Sequence, residues 1–128
     1  SLLLKLGYQK ENFAALSLYL VLVNPFLEEL YWRGIVYKHL QQEKFGGKHF
    51  AIVFSSFMYA AYHYVIFRLV LFPVWAEIGI IMLTGFGGVL CIVLRKTASI
   101  ISTALLHALL TDAAVIVLML LLMKQNPG

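Results

Sequence analysis

Residues 74–94, VWAEIGIIMLTGFGGVLCIVL, decide the fold of this chain. The stretch has one charged residue, Glu77, close to its start, where we expect the membrane surface. About 20 helical residues cross the roughly 30 Å hydrocarbon core of a bilayer, so an apolar stretch of this length predicts a transmembrane helix. Four glycines within it, including Gly87 and Gly88, are typical of close contacts between membrane helices.

The rest of the chain has the same character. Of its 128 residues, 62% are hydrophobic and only 12% are charged, and the mean hydropathy is +0.87. This composition nearly excludes a water-soluble domain. The net charge of +4 comes mostly from basic clusters between apolar runs, which indicates membrane topology and not nucleic-acid binding. The single cysteine, Cys91, excludes an intrachain disulfide.

Three more apolar runs are long enough to span a bilayer: residues 13–37, 50–72 and 98–123. The connectors between runs are short, and short links favour antiparallel neighbouring helices. We expect these connectors at residues 41–48 with a Gly46-Gly47 break, at a turn around Pro73, and at residues 95–97. The sequence therefore predicts an all-α polytopic membrane bundle of about four transmembrane helices, forming one unit over residues 1–128 of a longer chain.

Basic residues suggest an orientation for this bundle. The first and third connectors lie on the same side and contain Lys44, Lys48, Arg95 and Lys96. By the positive-inside rule, this side is weakly favoured as the cytoplasmic one.

Six polar residues interrupt the apolar helices, and each would be costly in lipid, by about 2.5–3.5 kcal/mol for a charge at mid-membrane. They are Glu28, Glu29, Arg33, His63, His107 and Asp112. At 1.5 Å per helical residue, Glu28, His63 and His107 lie about 24, 22 and 16 Å from the basic connectors. Because these depths are similar, we expect the three side chains to share a polar interior.

Spacing separates the two glutamates. Glu29 and Arg33 are four residues apart with the acid first, which favours a helical ion pair and a structural role for Glu29. Glu28 is five residues from Arg33 and points elsewhere. Its partners must therefore come from other helices, and His63 and His107 are the candidates.

Three motifs in order resemble a known family. Residues 28–33, EELYWR, match an EExxxR signature; residues 59–63, YAAYH, match FxxxH with Tyr59 in place of phenylalanine; and residues 107–111, HALLT, are similar to HxxxN. This set, within a motif core of about residues 25–114, resembles the type II CAAX prenyl endopeptidases, the CPBP intramembrane peptidases also called the Abi family.

The resemblance implies a multi-pass intramembrane endopeptidase of a bacterial plasma membrane or the endoplasmic reticulum. Its substrate would be a prenylated CAAX C-terminus or a bacterial peptide, the latter in connection with bacteriocin maturation and immunity. By the same resemblance, Glu28 is the general base, His63 its partner in handling water and His107 an oxyanion donor. Glu29, Arg33, Tyr59 and Thr111 have supporting roles.

Thr111 departs from the family pattern because asparagine is expected there, and Asp112 beside it would repel an oxyanion if it were ionised. The loss of one oxyanion donor costs about 2.7–4 kcal/mol of activation barrier in soluble enzymes. The departure predicts an impaired peptidase, and the alternative is a noncatalytic membrane immunity or scaffold protein, or a small cation or proton conduit. HExxH is absent, so we favour a metal-free reaction; zinc on Glu28, His63 and His107 is the alternative. Membrane lipid is an expected partner, and nucleic acid is not.

Overall fold

The computed structural model describes residues 10–43, 46–70, 73–117 and 120. Across these residues all regular secondary structure is helical, and none of them forms a strand. We number the four long helices α1 to α4 in chain order.

Helix α1 is a continuous helical run over residues 10–42 that changes its hydrogen-bonding pattern four times. Its α-helical segments are Lys10–Leu18, Asn24–Glu29 and Lys38–Gln42, and its π-helical segments are Tyr19–Val23 and Leu30–Tyr37. In the π segments each backbone N–H bonds to the carbonyl five residues back, which widens the turn. Pro25 lies in the first turn of the middle α segment, which is the position in an α-helix where proline, having no N–H, is tolerated best.

The other three helices are more regular. Helix α2 is Gly47–Val70 and helix α3 is Pro73–Thr97. Helix α4 begins as an α-helix, Ile100–His107, continues as a π-helical segment, Ala108–Asp112, and returns to α-helix up to residue 117. The side chain of Ser99 caps α4 by accepting a hydrogen bond from the backbone N–H of Ser102 at 3.3 Å.

Within the described residues, four helical stretches are long and apolar enough to cross a membrane: Ala14–Gln42, Gly47–Arg68, Val74–Thr97 and Ile100–Val117. The predicted fold class is therefore confirmed. Several predicted connector residues were wrong, however: α1 continues to residue 42, residues 47–48 begin α2, and residues 95–97 complete α3. The predicted turn at Pro73 falls where α3 begins, and residues 71–72 before it lie outside the described residues. Hydropathy marks the lipid core, whereas a helix can continue into water with polar residues in its last turn. The predicted ends at residues 72 and 123 lie outside the described residues.

The bundle buries several polar and charged side chains among apolar ones and exposes many large apolar side chains on its outer surface. Glu29, Arg33 and His107 are almost completely buried, whereas Ile81 and Leu109 have 72% and 69% of their surface exposed. Such an arrangement suits a lipid environment, where charged side chains face the bundle interior. Helix α1 packs against the start of α4, and α2 packs along α3. These contacts bring the polar residues of α1, α2 and α4 to one place.

Candidate active site

Glu28 of α1 lies where three helices meet. Its Oε2 atom is 3.5 Å from Nε2 of His63 on α2 and 3.7 Å from Nε2 of His107 on α4. This oxygen is buried and has no hydrogen-bond partner among the residues that the structure describes. A buried carboxylate oxygen needs a donor, so the atom has the capacity to hold a water molecule. The structure thus brings together the three residues that the sequence selected as catalytic candidates.

The tautomer of His63 follows from its local contacts. Its Nδ1 atom is 2.9 Å from the backbone carbonyl oxygen of Tyr59, one helical turn earlier. A carbonyl oxygen can only accept, so Nδ1 carries the hydrogen and donates it. In the neutral ring Nε2 is then an acceptor, and this is the atom that faces Glu28. His63 can therefore accept a hydrogen bond from a water molecule beside Oε2 of Glu28.

His107 is held from both sides. Its Nδ1 atom is 3.0 Å from Oε1 of Glu29, to which it donates, and its Nε2 atom is 3.3 Å from the hydroxyl of Tyr59. With the hydrogen on Nδ1, the neutral ring accepts the tyrosine O–H at Nε2. Oδ1 of Asp112 is also 3.6 Å from Nε2. For His107 to donate to an oxyanion through Nε2, its ring must carry both protons.

Glu29 and Arg33 form the buried ion pair that their spacing predicted, with a separation of 3.0 Å between Oε1 and Nη1. Arg33 also donates from Nη2 to the backbone carbonyl of Gly87 at 3.3 Å. Its guanidinium carbon lies 4.4 Å from the centre of the Tyr59 ring, which is a cation–π contact. Glu29 therefore connects Arg33 to His107, and these contacts hold the His107 ring in place.

Thr111 does not face the site with its hydroxyl. Its Oγ1 atom donates to the backbone carbonyl of His107 at 2.6 Å, so the hydroxyl hydrogen is already committed. The neighbouring residue, Asp112, reaches the site instead. An α-helical projection turns residue 112 away from residue 107, but the π-helical segment at 108–112 brings residues five apart closer to one face.

Asn24 is a site residue that sequence reasoning missed. Its Nδ2 atom donates to Oε1 of Glu28 at 3.2 Å. The signal was available, because Asn24 is four residues before Glu28 and this spacing places both on one face of an α-helix. Asp112 was recognised as a polar interruption, but its contact with His107 had no signal in the spacing.

An open cleft of about 420 Å³ leads to Glu28. Leu27, Tyr31, Trp32 and Tyr62 form its other walls, so Glu28 is the single charged group in a largely aromatic lining. A ligand that fits such walls is mostly apolar and places one polar group next to the carboxylate.

The zinc alternative is tested by the arrangement of donors. Among the described residues, no group of three or more His, Cys, Asp and Glu side chains is arranged to hold a metal ion. The Nε2 atom of His107, which a zinc ion would need, accepts the hydroxyl of Tyr59. The residues as they stand do not fit a zinc site, and the metal-free reaction stays a prediction.

One comparison with known proteins gave a match. A family model described as type II CAAX prenyl endopeptidase Rce1-like matches residues 10–111, a range that contains Glu28, His63 and His107. No curated protein and no solved structure matches the chain.

Proposed function

Because the chain belongs to the Rce1-like type II CAAX prenyl endopeptidase family, we propose that it hydrolyses a peptide bond inside the membrane, using Glu28 to activate water. The substrate is a prenylated CAAX C-terminus or a bacterial peptide. The observation that carries the proposal is the buried Oε2 atom of Glu28, which lies near the Nε2 atoms of His63 and His107 and has no hydrogen-bond partner in the described part of the chain. A general base must be within hydrogen-bond reach of the water that it deprotonates, and none of the described residues competes with a water molecule for this oxygen.

The reaction begins with a water molecule that donates its hydrogens to Oε2 of Glu28 and Nε2 of His63. Glu28 takes one proton, and the hydroxide oxygen forms a bond with the peptide carbonyl carbon, which leaves a negative charge on the carbonyl oxygen. The C–N bond then breaks, and the proton on Glu28 passes to the leaving nitrogen. The immediate products are a carboxylic acid and an amine, and the acid then passes its remaining proton to the amine, giving a carboxylate and an ammonium group while the glutamate returns to its starting form.

The tetrahedral intermediate needs a hydrogen-bond donor for its oxyanion. We assign this role to His107, whose ring faces Glu28 and is held by Glu29 on its other side. Three carboxyl groups contact this ring, from Glu28, Glu29 and Asp112, and the ring donates to the oxyanion through Nε2 when both of its nitrogens carry a hydrogen.

The aromatic cleft supplies the approach to Glu28. Its walls suit a lipid-like chain or apolar side chains on either side of the scissile bond. The exposed fractions of Tyr31 and Tyr62, 53% and 54%, leave the cleft open to the outer face of the bundle. A substrate anchored in the bilayer can therefore reach the site sideways.

One observation favours a second function, a noncatalytic membrane immunity or scaffold protein. The hydroxyl of Thr111 donates to a backbone carbonyl of its own helix, and a carboxylate oxygen of Asp112 lies 3.6 Å from Nε2 of His107, the atom assigned as oxyanion donor. An ionised carboxylate at this place opposes a developing negative charge. In this alternative the buried charges serve to hold the helices together.

The two functions are separated by Glu28→Gln. The full chain is reconstituted in lipid vesicles with a farnesylated CAAX peptide, and release of the C-terminal tripeptide is followed by mass spectrometry. We expect wild-type cleavage, and a loss on the order of 10²–10⁴-fold in Glu28→Gln because the amide cannot take the proton. Adding a chelator to the wild-type assay tests the metal-free reaction, for which no loss is expected.

Glu43→Gln is the matched control, because it makes the same chemical change at an exposed glutamate just after the end of α1. It should cleave like the wild type. Both variants should melt within a few degrees of the wild type in detergent. No cleavage by the wild type, or equal cleavage by Glu28→Gln, would overturn the peptidase and favour the noncatalytic protein.

A further inference from the structure

We propose that the hydroxyl of Tyr59 is an oxyanion donor that takes over the work of the missing asparagine. The inference rests on the proposed peptidase function and assigns a catalytic residue within it. Tyr59 occupies a position where the FxxxH motif has phenylalanine, so its hydroxyl is the group that the departure adds. Thr111 is the second departure from the family motifs: it stands where asparagine is expected, so the side-chain amide donor of that asparagine is missing from α4.

The position of the Tyr59 hydroxyl supports this role. Tyr59 is fully buried, and its hydroxyl oxygen is 3.3 Å from Nε2 of His107. The same Nε2 atom lies 3.7 Å from Oε2 of Glu28. The hydroxyl is therefore on the same side of His107 as the carboxylate that activates water. A carbonyl oxygen that approaches Nε2 of His107 would also come next to this O–H group, because the two atoms are in hydrogen-bond contact.

The tyrosine ring is held from several sides, which fixes its hydroxyl. The guanidinium carbon of Arg33 is 4.4 Å from the ring centre, the ring of His63 is centred 4.6 Å away, and Trp32 meets it edge-on at 6.2 Å. Donors that are oriented before the reaction stabilise an oxyanion without reorganisation. Arg33 in turn is fixed by Glu29, so the ion pair contributes by holding the tyrosine.

The neutral form of His107 explains why a second donor is needed. Its ring hydrogen on Nδ1 is directed to Glu29, so its Nε2 atom accepts and offers no hydrogen to a substrate. The O–H of Tyr59 now points at Nε2, and a small rotation about the C–O bond redirects it to an oxyanion. The phenol keeps its proton throughout, so no bond is formed or broken at Tyr59.

The test is Tyr59→Phe, which restores the motif residue and removes a single oxygen atom. With the farnesylated CAAX peptide in vesicles, we expect kcat to fall on the order of 10²-fold while KM changes little, because an oxyanion contact exists only in the transition state. A peptide phosphinate that mimics the tetrahedral intermediate should bind more weakly to Tyr59→Phe by a similar factor.

Tyr37→Phe is the matched control. Tyr37 is as buried as Tyr59, with 1% of its surface exposed, and its hydroxyl also takes part in one side-chain hydrogen bond, with Gln41. It lies in the apolar cluster with Cys91 and Leu94, away from the site. We expect both variants to show similar melting shifts, and Tyr37→Phe to keep the wild-type kcat.

The outcomes distinguish a failure of the Tyr59 assignment from a failure of the peptidase function. If the wild type cleaves, Glu28→Gln does not and Tyr59→Phe keeps the wild-type kcat, the Tyr59 assignment fails and the peptidase stands. If kcat falls equally in Tyr59→Phe and Tyr37→Phe, the tyrosine is structural and the assignment also fails. If the wild type cleaves nothing, both the peptidase and the Tyr59 assignment fail.

Discussion

At the scale of single residues, the orientation of one carboxylate determines what the site can do. Glu28 has two oxygens with different surroundings: Oε1 accepts a hydrogen bond from the amide of Asn24 at 3.2 Å, and Oε2 has no hydrogen-bond partner among the described residues. Because Asn24 occupies Oε1, the side chain cannot rotate freely, and the oxygen left for water is the one between the histidines. Asn24 thus acts through Glu28 as a positioning residue.

We expect Asn24→Leu, which has a similar size but no donor, to lower kcat by about 10- to 100-fold and to leave KM nearly unchanged. The estimate follows from the roughly 1.5–3 kcal/mol that a hydrogen bond to a charged group contributes. Steady-state cleavage of the farnesylated peptide measures it, and Asn24→Gln, which keeps the amide donor, should recover part of the rate. Equal activity of Asn24→Leu and wild type would contradict the positioning role.

Spacing in the sequence was sufficient to predict part of this site. Glu29 and Arg33 pair because they are four residues apart on a helix, and the pair is present at 3.0 Å. The convergence of Glu28 with His63 and His107 followed from their similar depth. Their catalytic roles stay predictions. The contact of Asp112 with His107 could not be predicted, because it depends on a π-helical turn that no residue pattern in the sequence predicts.

At the scale of helices, π-helical segments follow directly on the site residues. One segment, Leu30–Tyr37, begins after Glu29, and another, Ala108–Asp112, begins after His107. Single π turns are frequent at functional sites because they redirect side chains within a continuous helix. In α4 the consequence is a change of register, since Asp112 contacts the ring of His107 whereas the Thr111 hydroxyl bonds only to the backbone carbonyl of His107.

The register change predicts which position can restore an asparagine donor. We expect Asp112→Asn to raise kcat, by up to the order of 10²-fold that one oxyanion donor contributes, because an amide replaces a carboxylate at Nε2 of His107. Thr111→Asn should leave kcat close to the wild-type value. Peptide cleavage by the two variants, at matched amounts of folded protein, measures the difference, and a gain in Thr111→Asn alone would contradict the observed register.

The helix boundaries illustrate what hydropathy can and cannot supply. Apolar runs located all four helices, but their ends were misplaced near residues 47–48 and 95–97. The ends are set by local backbone geometry. Gly46 and Gly47 have φ angles of 78° and 71°, and Ala98 has a φ of 54°, so the chain turns through left-handed conformations that a hydropathy profile does not contain.

At the scale of the whole molecule, the site is coupled to the packing of α1, α2 and α3. Arg33 reaches the carbonyl of Gly87 on α3, and Ser56 of α2 packs against the same glycine. A Cβ atom at Gly87 would lie 3.1 Å from Nη2 of Arg33 and 3.1 Å from the Cα atom of Ser56. These separations are tight, and one of the two neighbours is backbone. A side chain at residue 87 therefore forces helices apart or displaces Arg33.

We expect Gly87→Ala to destabilise the bundle by about 1–3 kcal/mol, the usual cost of overpacking, and to lower kcat because a displaced Arg33 no longer supports Tyr59 and Glu29. Gly85→Ala is the matched control: its Cβ would meet nothing within 4 Å, so replacing glycine in a helix should leave stability unchanged or raise it by up to about 1 kcal/mol. Detergent melting and peptide cleavage measure both variants. If Gly87→Ala melts and cleaves like Gly85→Ala, Arg33 can move without consequence, and the Glu29–Arg33 ion pair does not hold the geometry of the site.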